Sequence, residues 1–373
     1  MNTKQNIFSK SKFLILLFLI GLSACKAPNE VSTTPKPPKA EIVQNPKNII
    51  LMIGDGMGLA QVTAGMYMKP DKLALEAFKH IGLIKTHAAN NLVTDSAASA
   101  TAFSCGQKTY NGAIGVNTDT VAMKTILESA EEEGLETGMI STCSVTHATP
   151  ASFVAHQAKR SMHEEIAADF LNAGVELVIG GGRKYFNQRT DSIDLIAQLE
   201  EQGYAVDSTI ESMNADMDKF YVFTDNEHPE KAREGRTWLS AASQLAIKRL
   251  DKSKKGFFLM IEGSQIDWGG HANDSDYIIT EMLDFDKTIE KVLEFVKQDG
   301  ETLLLVTADH ETGGYALNPG SERGNIVPGF TSKKHSAIMI PVYAYGVGAE
   351  NFSGIYENTA LYDKMMKALK LND

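Results

Sequence analysis

Acidic residues follow three apolar segments of the sequence. The segments and the residues that follow them are 49–53 with Asp55, 257–261 with Glu262, and 302–307 with Asp309. In an open α/β sheet, the carboxyl ends of the parallel strands meet at one edge, and ligands bind there. Carboxylates crowded at that edge would repel one another and lose solvation unless a cation compensated them. The sequence therefore predicts a divalent-metal site at this edge.

Histidines and one further aspartate accompany these segments. Asp267 and His271 are four residues apart, so they share one face if the segment is helical. His310 adjoins Asp309, and neighbouring side chains point in different directions, so each can serve a different ion. His335 precedes an apolar run, where a core histidine is the alternative. Each signal is weak alone, but together they favour bound divalent metal, since zinc takes nitrogen and oxygen ligands.

A candidate nucleophile lies in the segment 94–102, which is typical of a turn followed by a helix of small residues. A hydroxyl at the helix start, such as that of Ser96, has backbone N–H groups and the positive dipole end beside it, which favour a bound phosphate. From this segment alone, a plain N-cap serine is the better interpretation. Similarly, His147 and Thr149 fit a loop whose Pro150 opens a helix, and Arg160 fits a solvated helix residue.

The elements that must position these residues alternate along the chain. Besides the three apolar segments above, the predicted buried strands are 138–142, 176–179 and 337–345. Between strands lie segments of helical period, such as 289–296, which stops at Asp299 and Gly300. Apolar strands separated by helices predict an α/β fold whose central, mainly parallel sheet is flanked by helices on both faces. We expect a single domain over residues 47–373.

The net charge of the chain indicates which kinds of molecule it binds. The chain has 373 residues and a net charge of -11. That charge disfavours nucleic acid, whose phosphates need clustered cations. It leaves room for a small anionic substrate, because bound metal can reverse the sign of the local potential.

The N-terminus is predicted to lie outside the fold. Lysines precede a short apolar run that ends in Leu-Ser-Ala-Cys, which is typical of a lipoprotein-type signal peptide over residues 1–24. Lipid on Cys25 would tether the protein to a membrane, at the periplasmic or cell surface. An ordinary secretory signal, with no role for Cys25, is the alternative. The proline-rich stretch 25–46 is then a linker. Cys105 and Cys143 either form a disulfide or remain buried thiols.

From residue 47 to about residue 348, the sequence resembles the alkaline phosphatase family, block by block and in the same order. The matching blocks are 53–58, 94–98, 148–150, 262–263, 307–311 and 335–336. The resemblance implies two zinc sites and a third site that usually holds magnesium. The implied ligands are Asp267, His271 and His335 for the first zinc; Asp55, Asp309, His310 and Ser96 for the second; and Asp55, Thr149 and Glu262 for the third ion.

The same resemblance implies the activity. Phosphate monoesters of many alcohols would be hydrolysed through a covalent phosphoserine at Ser96, while Arg160 grips two phosphate oxygens. A homodimer and a short insert at residues 311–334 are also implied. Two residues depart from the best-known bacterial pattern: His147 replaces an aspartate and Trp268 replaces a lysine. His147 could draw zinc to the third site, and Trp268 is expected to weaken phosphate binding.

Two other functions compete with this interpretation. A phosphodiesterase, sulfatase or phosphonate hydrolase of the same superfamily would share the two-metal core, but Arg160 together with Thr149 and Glu262 favours a monoesterase. A lipid-anchored phosphate- or metal-binding protein without turnover is the second, and the intact Ser96 argues against it.

Overall fold

Strands made almost wholly of buried apolar residues form the middle of the molecule. The computed structural model describes residues 45–372. Its first strand, β1 (Asn48–Gly54), is buried at every position. A parallel strand covered by helices on both faces must be apolar on both sides, which explains the unbroken run Ile-Ile-Leu-Met-Ile.

The strands and helices alternate along the chain. The other strands are β2 (His80–Lys85), β3 (Glu136–Ser144), β4 (Leu177–Gly181), β5 (Ala205–Asp207), β6 (Phe220–Phe223), β7 (Phe257–Gly263), β8 (Thr302–Thr307), β9 (Glu311–Thr312), β10 (Tyr315–Leu317), β11 (Pro328–Phe330), β12 (His335–Ser336), β13 (Ile340–Gly346) and β14 (Gly354–Glu357). The α-helices are α1 (Leu59–Met68), α2 (Ser96–Cys105), α3 (Ile126–Glu132), α4 (Ala148–Ala151), α5 (His163–Asp169), α6 (Lys184–Asn187), α7 (Leu195–Glu201), α8 (Leu239–Leu250), α9 (Gln265–Ala272), α10 (Ser275–Asp299) and α11 (Ala360–Leu369). Short 3₁₀ segments lie at Ala74–Ala77, Phe170–Asn172, Ile210–Ser212, Ala232–Glu234 and Ala349–Phe352.

Ten strands form one sheet, in the order β14-β2-β13-β8-β1-β7-β3-β4-β6-β5. Strand β13 runs antiparallel to both of its neighbours, and the remaining pairings are parallel. Two small ladders, β10 with β11 and β9 with β12, lie outside this sheet. The predicted class, a mainly parallel sheet flanked by helices, is confirmed.

Local sequence explains where helix α2 begins and where helix α10 begins and ends. Helix α2 starts after Asp95, whose Oδ1 accepts a hydrogen bond from the Ala98 N–H at 3.0 Å. Helix α10 is capped in the same way by Asp274 and stops at Gly300, whose φ of 72° suits glycine. This end agrees with the predicted stop at Asp299 and Gly300.

Five predicted central strands agree with the structure, and one predicted boundary is wrong. The segment 337–345 was expected to be strand throughout, but β13 begins at Ile340, because residues 337–339 are exposed and leave the sheet. The alternation of strands and helices did not predict β2, β5, β6 or β14, which lie towards the two edges of the sheet.

The described chain enters at the edge of the sheet where β1 begins. The Asn45 side chain donates hydrogen bonds to the carbonyls of Lys367 and Ala368 in α11, at 3.4 and 3.0 Å. The predicted signal peptide, Cys25 and most of the linker lie outside the described residues. Cys105 and Cys143 are buried free thiols, which resolves the alternative left open above. Across residues 45–372, none of the helices has the length and apolar character needed to cross a bilayer.

Candidate active site

The predicted site residues meet at the carboxyl edge of the central strands. Asp55 directly follows β1, Glu262 is the last residue but one of β7, and Asp309 lies two residues beyond β8. Because β1 pairs in parallel with both β7 and β8, all three carboxylates emerge at the same edge. This is the edge where open α/β sheets bind ligands.

A first group consists of Asp267, His271 and His335, whose ligand atoms lie within 4.8 Å of one another. Asp267 and His271 lie one turn apart on α9, and His271 Nε2 is 3.4 Å from Asp267 Oδ2. His335 Nε2 is 3.1 Å from His271 Nε2 and 3.5 Å from Asp267 Oδ1. Each Nδ1 faces a backbone carbonyl, of Lys333 for His271 and of Thr94 for His335, at 2.7 and 2.9 Å. With Nδ1 protonated, both Nε2 lone pairs point into the group.

A second group surrounds the His310 ring, which is fully buried. His310 Nε2 is 3.1 Å from Asp309 Oδ2 and 3.5 Å from Asp55 Oδ1. Ser96 Oγ lies 3.3 Å from the same nitrogen. Ligand atoms of Asp55, His310 and also Asp267 lie within 4.8 Å of one another. The serine hydroxyl therefore lies beside the residues that the resemblance assigned to the second site, and Asp267 adjoins both groups.

The third predicted ligand set consists of Asp55, Thr149 and Glu262, and an oxygen of each lacks a hydrogen-bond partner among residues 45–372. Within the described part of the chain, Asp55 Oδ2, Thr149 Oγ1 and Glu262 Oε1 are all buried without one. A buried polar atom without a partner costs about 1–3 kcal/mol. Glu262 Oε2, in contrast, accepts from Ser264 Oγ at 2.7 Å and from Cys143 Sγ at 3.4 Å. The carboxylate is thus oriented with one free oxygen.

The raised pKa values of two of these carboxyl groups, Asp55 and Glu262, indicate that this part of the site needs compensating positive charge. Burial, followed by the nearby Asp309 carboxylate, raises the pKa of Asp55 well above its usual range. Burial is also the main cause that raises the pKa of Glu262 to about 7. Burial and the adjacent His310 lower the pKa of His335 to about 4, so its imidazole is neutral and can bind metal. Oxygen and imidazole donors without protein partners fit divalent cations.

Arg160 is held at the rim of the site by two side chains. Its Nη1 donates to Asp95 Oδ2 at 3.0 Å, and its Nη2 lies 3.2 Å from His147 Nε2. Burial, with the Arg160 charge next, lowers the pKa of His147 well below its usual value. The neutral Nε2 therefore accepts from the guanidinium. Trp268 packs edge-on against His147, with ring centroids 6.1 Å apart.

Close backbone packing brings α9 against the turn after β1. Gly56 has a φ of +71°, and a Cβ added there would lie 2.6 Å from the Asp267 Cα. Its N–H also donates to Asp309 Oδ1 at 3.1 Å. A side chain at residue 56 would therefore push apart residues of both groups.

Two residues with roles in this geometry were missed by sequence reasoning. Asp95 both caps α2 and holds Arg160, and its place directly before Ser96 was the available signal. Thr312 is the other. Its Oγ1 lies 2.5 Å from Asp267 Oδ1 and 3.2 Å from His310 Nδ1. One hydroxyl thus accepts from His310 in the second group and donates to Asp267.

Replacing Thr312 with valine should therefore weaken metal binding by both groups. We expect an affinity loss of about 10- to 100-fold, the usual effect of removing a hydrogen bond to a metal ligand. Zinc content under chelator competition measures it, and Thr312→Ser, which keeps the hydroxyl, should restore most of the affinity. Thr288→Val removes a buried hydroxyl from α10 and is the matched control. Equal zinc retention in all of these variants would contradict the role given to Thr312.

Comparisons with known proteins agree with this geometry. The family model described as alkaline phosphatase matches residues 46–327. Alkaline phosphatase 4 of Bacillus subtilis (strain 168) is 32% identical over 99% of this chain and 83% of its own length. Alkaline phosphatase of Escherichia coli (strain K12) is 31% identical over 87% of this chain and 86% of its own length.

Solved structures give the same result. The alkaline phosphatase from the Antarctic bacterium TAB5 superposes with a TM-score of 0.85 at 46% identity, and the match covers 89% of this chain and 100% of that one. Two variants of that protein, with a histidine replaced by glutamate or aspartate, have Mg bound in the M3 site. The chain therefore belongs to the alkaline phosphatase family of phosphate-monoester hydrolases.

Proposed function

We propose that the protein hydrolyses phosphate monoesters through a covalent phosphoserine at Ser96, with two zinc ions and a third ion bound beside it. The observation that carries this proposal is the position of Ser96 Oγ, 3.3 Å from His310 Nε2 and next to buried carboxylate oxygens that lack partners. A structural N-cap serine would not need such surroundings.

The residues that would hold the ions are those of the three groups. Asp267, His271 and His335 would bind the first zinc; Asp55, Asp309 and His310 the second; and Asp55, Thr149 and Glu262 the third ion. When bound, such ions supply positive charge that lowers the pKa of the serine hydroxyl and balances the charge of the phosphoryl oxygens. Magnesium is our proposal for the third ion, because its donors are all oxygens. Zinc there is the alternative, because His147 stands two residues before Thr149 and an imidazole donor suits zinc.

The chain's own groups bind and orient the substrate. Ser96 is the first residue of α2, so the positive end of that helix favours negative charge on its oxygen and on a phosphate beside it. The Arg160 guanidinium would grip two phosphate oxygens through its paired N–H groups. Asp95 and His147 limit the rotation of that guanidinium, so less entropy is lost when phosphate binds.

In the reaction, Ser96 Oγ attacks phosphorus as the bond to the leaving alcohol breaks, and the alcohol takes up a proton. Water then attacks the phosphoserine, which releases inorganic phosphate and restores the hydroxyl. Since Ser96, Arg160 and the bound ions would all contact the phosphoryl group, we propose a broad range of leaving alcohols. Trp268 stands where the best-known bacterial members of the family have a lysine. The loss of that positive charge supports weaker binding of the phosphate product.

Location and assembly are part of this proposal. The lipobox-like segment supports export, with lipid on Cys25 that tethers the domain at the periplasmic or cell surface. Membership of the family supports a homodimer.

Ester preference and a trapped intermediate test the proposal. With zinc and magnesium supplied, p-nitrophenyl phosphate should be hydrolysed at least about 10³-fold faster than its bis-ester or its sulfate, because a diester or sulfate presents less charge to Arg160 and the bound ions. Acid quenching during turnover, followed by peptide mass spectrometry, should find phosphate on Ser96. Faster bis-ester or sulfate cleavage would identify another hydrolase of the superfamily. Phosphate on a different residue would refute the assigned nucleophile.

A further inference from the structure

An open cavity of about 700 Å³ borders the first group of site residues. His271 and His335 form one side of it, and Thr94 and Asp95, which directly precede Ser96, form another. The cavity is therefore open space next to both the nucleophile segment and the first group. A substrate whose phosphoryl group lies at Ser96 and Arg160 would need such a space for the rest of the molecule.

Two lysines give this cavity a positive charge. Lys333 and Lys334 line it and are exposed, and over residues 45–372 no carboxylate forms an ion pair with either of them. The carboxylate on the cavity wall, Asp95, is already paired with Arg160 at 3.0 Å. The cavity thus has an excess of cations, although the whole chain carries a net charge of -11.

The lysine segment is fixed to the site through its backbone. The Lys333 carbonyl accepts the hydrogen bond from His271 Nδ1 at 2.7 Å. The Lys334 N–H donates to Ser332 Oγ at 2.9 Å, and its carbonyl accepts from the Gly313 N–H at 3.0 Å. The two side chains therefore start from defined points beside a residue of the first group.

We infer that this cavity receives the leaving alcohol and favours alcohols that carry a negative charge, such as a carboxylate or a second phosphate. The inference rests on the proposed function and names the substrate class for the same site. An anionic group in the cavity gains attraction from both ammonium groups, whereas a neutral alcohol gains none. The attraction must weaken as salt is added, since the lysines are exposed.

A matched pair of substrates tests the charge preference. Phosphoglycerate and glycerol phosphate leave alcohols of nearly equal size, one with a carboxylate and one with a neutral hydroxymethyl group. The quantity to compare is kcat/KM for phosphoglycerate divided by kcat/KM for glycerol phosphate. In the double variant Lys333→Met, Lys334→Met, this ratio should fall about three- to tenfold at low ionic strength, and less in high salt. The ratio cancels general effects of the variant on the reaction.

Two other lysines provide the control. Lys79 and Lys254 are exposed and lie just before β2 and β7, at the opposite edge of the sheet. The double variant Lys79→Met, Lys254→Met makes the same change in net charge and should leave the ratio unchanged. Lys333→Arg with Lys334→Arg should keep most of the preference, because both charges remain.

The outcomes separate this inference from the proposed function. If the metal-loaded protein does not hydrolyse p-nitrophenyl phosphate, the proposed function fails. If it does, but the ratio is the same in wild type and in the Lys333, Lys334 double variant, only the charge-selective cavity is refuted. An equal fall in the control variant would show an effect of overall charge, which also overturns the inference.

Discussion

Replacing Ser96 with alanine is expected to reduce kcat for p-nitrophenyl phosphate by about 10³-fold or more, as removal of an enzyme's nucleophile usually does. The hydroxyl is the group that would form the covalent bond to phosphorus, and no other serine is bonded to His310 in the part of the chain that the structure describes. Zinc content should remain close to that of the wild type, because the carboxylates and imidazoles of the three groups are unchanged. Steady-state rates and metal analysis on the same sample check both statements.

The control for this variant comes from the same helix. Ser104→Ala also removes a buried hydroxyl from α2, one that donates to the Ser152 carbonyl at 2.6 Å, but at the far end of the helix. We expect it to lower stability without a comparable loss of rate. If Ser96→Ala kept wild-type turnover with full metal content, the covalent mechanism would be wrong.

Removal of divalent ions with EDTA should abolish hydrolysis and destabilise the fold, and the destabilisation should grow with pH. The Glu262 carboxyl has an ordinary pKa of 4.5, which burial raises to about 7 in the folded protein without metal. Below pH 4.5 the Glu262 carboxyl is protonated in both the folded and the unfolded protein, so its titration costs no stability. Between the two values the unfolded state ionises first, so the folded state loses stability, and above the higher value the loss is complete. It amounts to about 3 kcal/mol, and Asp55 acts in the same direction.

Melting temperatures with and without EDTA, at about pH 5 and about pH 8, measure this effect. The difference between the two forms should be larger at the higher pH, and added zinc and magnesium should remove it. Glu262→Gln has nearly the same shape but cannot ionise, so EDTA-treated Glu262→Gln should lose much of the pH dependence. If the melting temperature that EDTA removes from the wild type were the same at both pH values, buried carboxylate charge would not be the cause of the destabilisation.

The central strands could be predicted because both of their faces are covered. A continuous apolar run such as that of β1 has few other interpretations. Edge strands carry less information. In β14, Ile355 is 64% exposed, and the strand is held by its pairing with β2, which no local pattern encodes. Such strands follow from the tertiary fold rather than from their own residues.

Candidate ligands were predictable to the extent that carboxylates are unusual at the ends of buried strands. Their partners were not. Thr312 is an ordinary residue two positions after His310, and only the folded chain brings its hydroxyl to Asp267. The ion pair between Asp95 and Arg160 joins residues 65 positions apart. Hydrogen bonds between distant segments depend on backbone packing, such as that around Gly56, which the sequence does not encode locally.

The direction in which the described chain enters has a practical consequence. Asn45 is bound to α11 at the edge where β1 begins, and the reacting residues follow the other end of the same seven-residue strand. A strand of that length spans about 20 Å. A bead, a purification tag or a fused reporter attached at Asn45 would therefore start about one strand length away from the reacting residues. Immobilised preparations coupled in this way should keep bulky esters accessible to the enzyme.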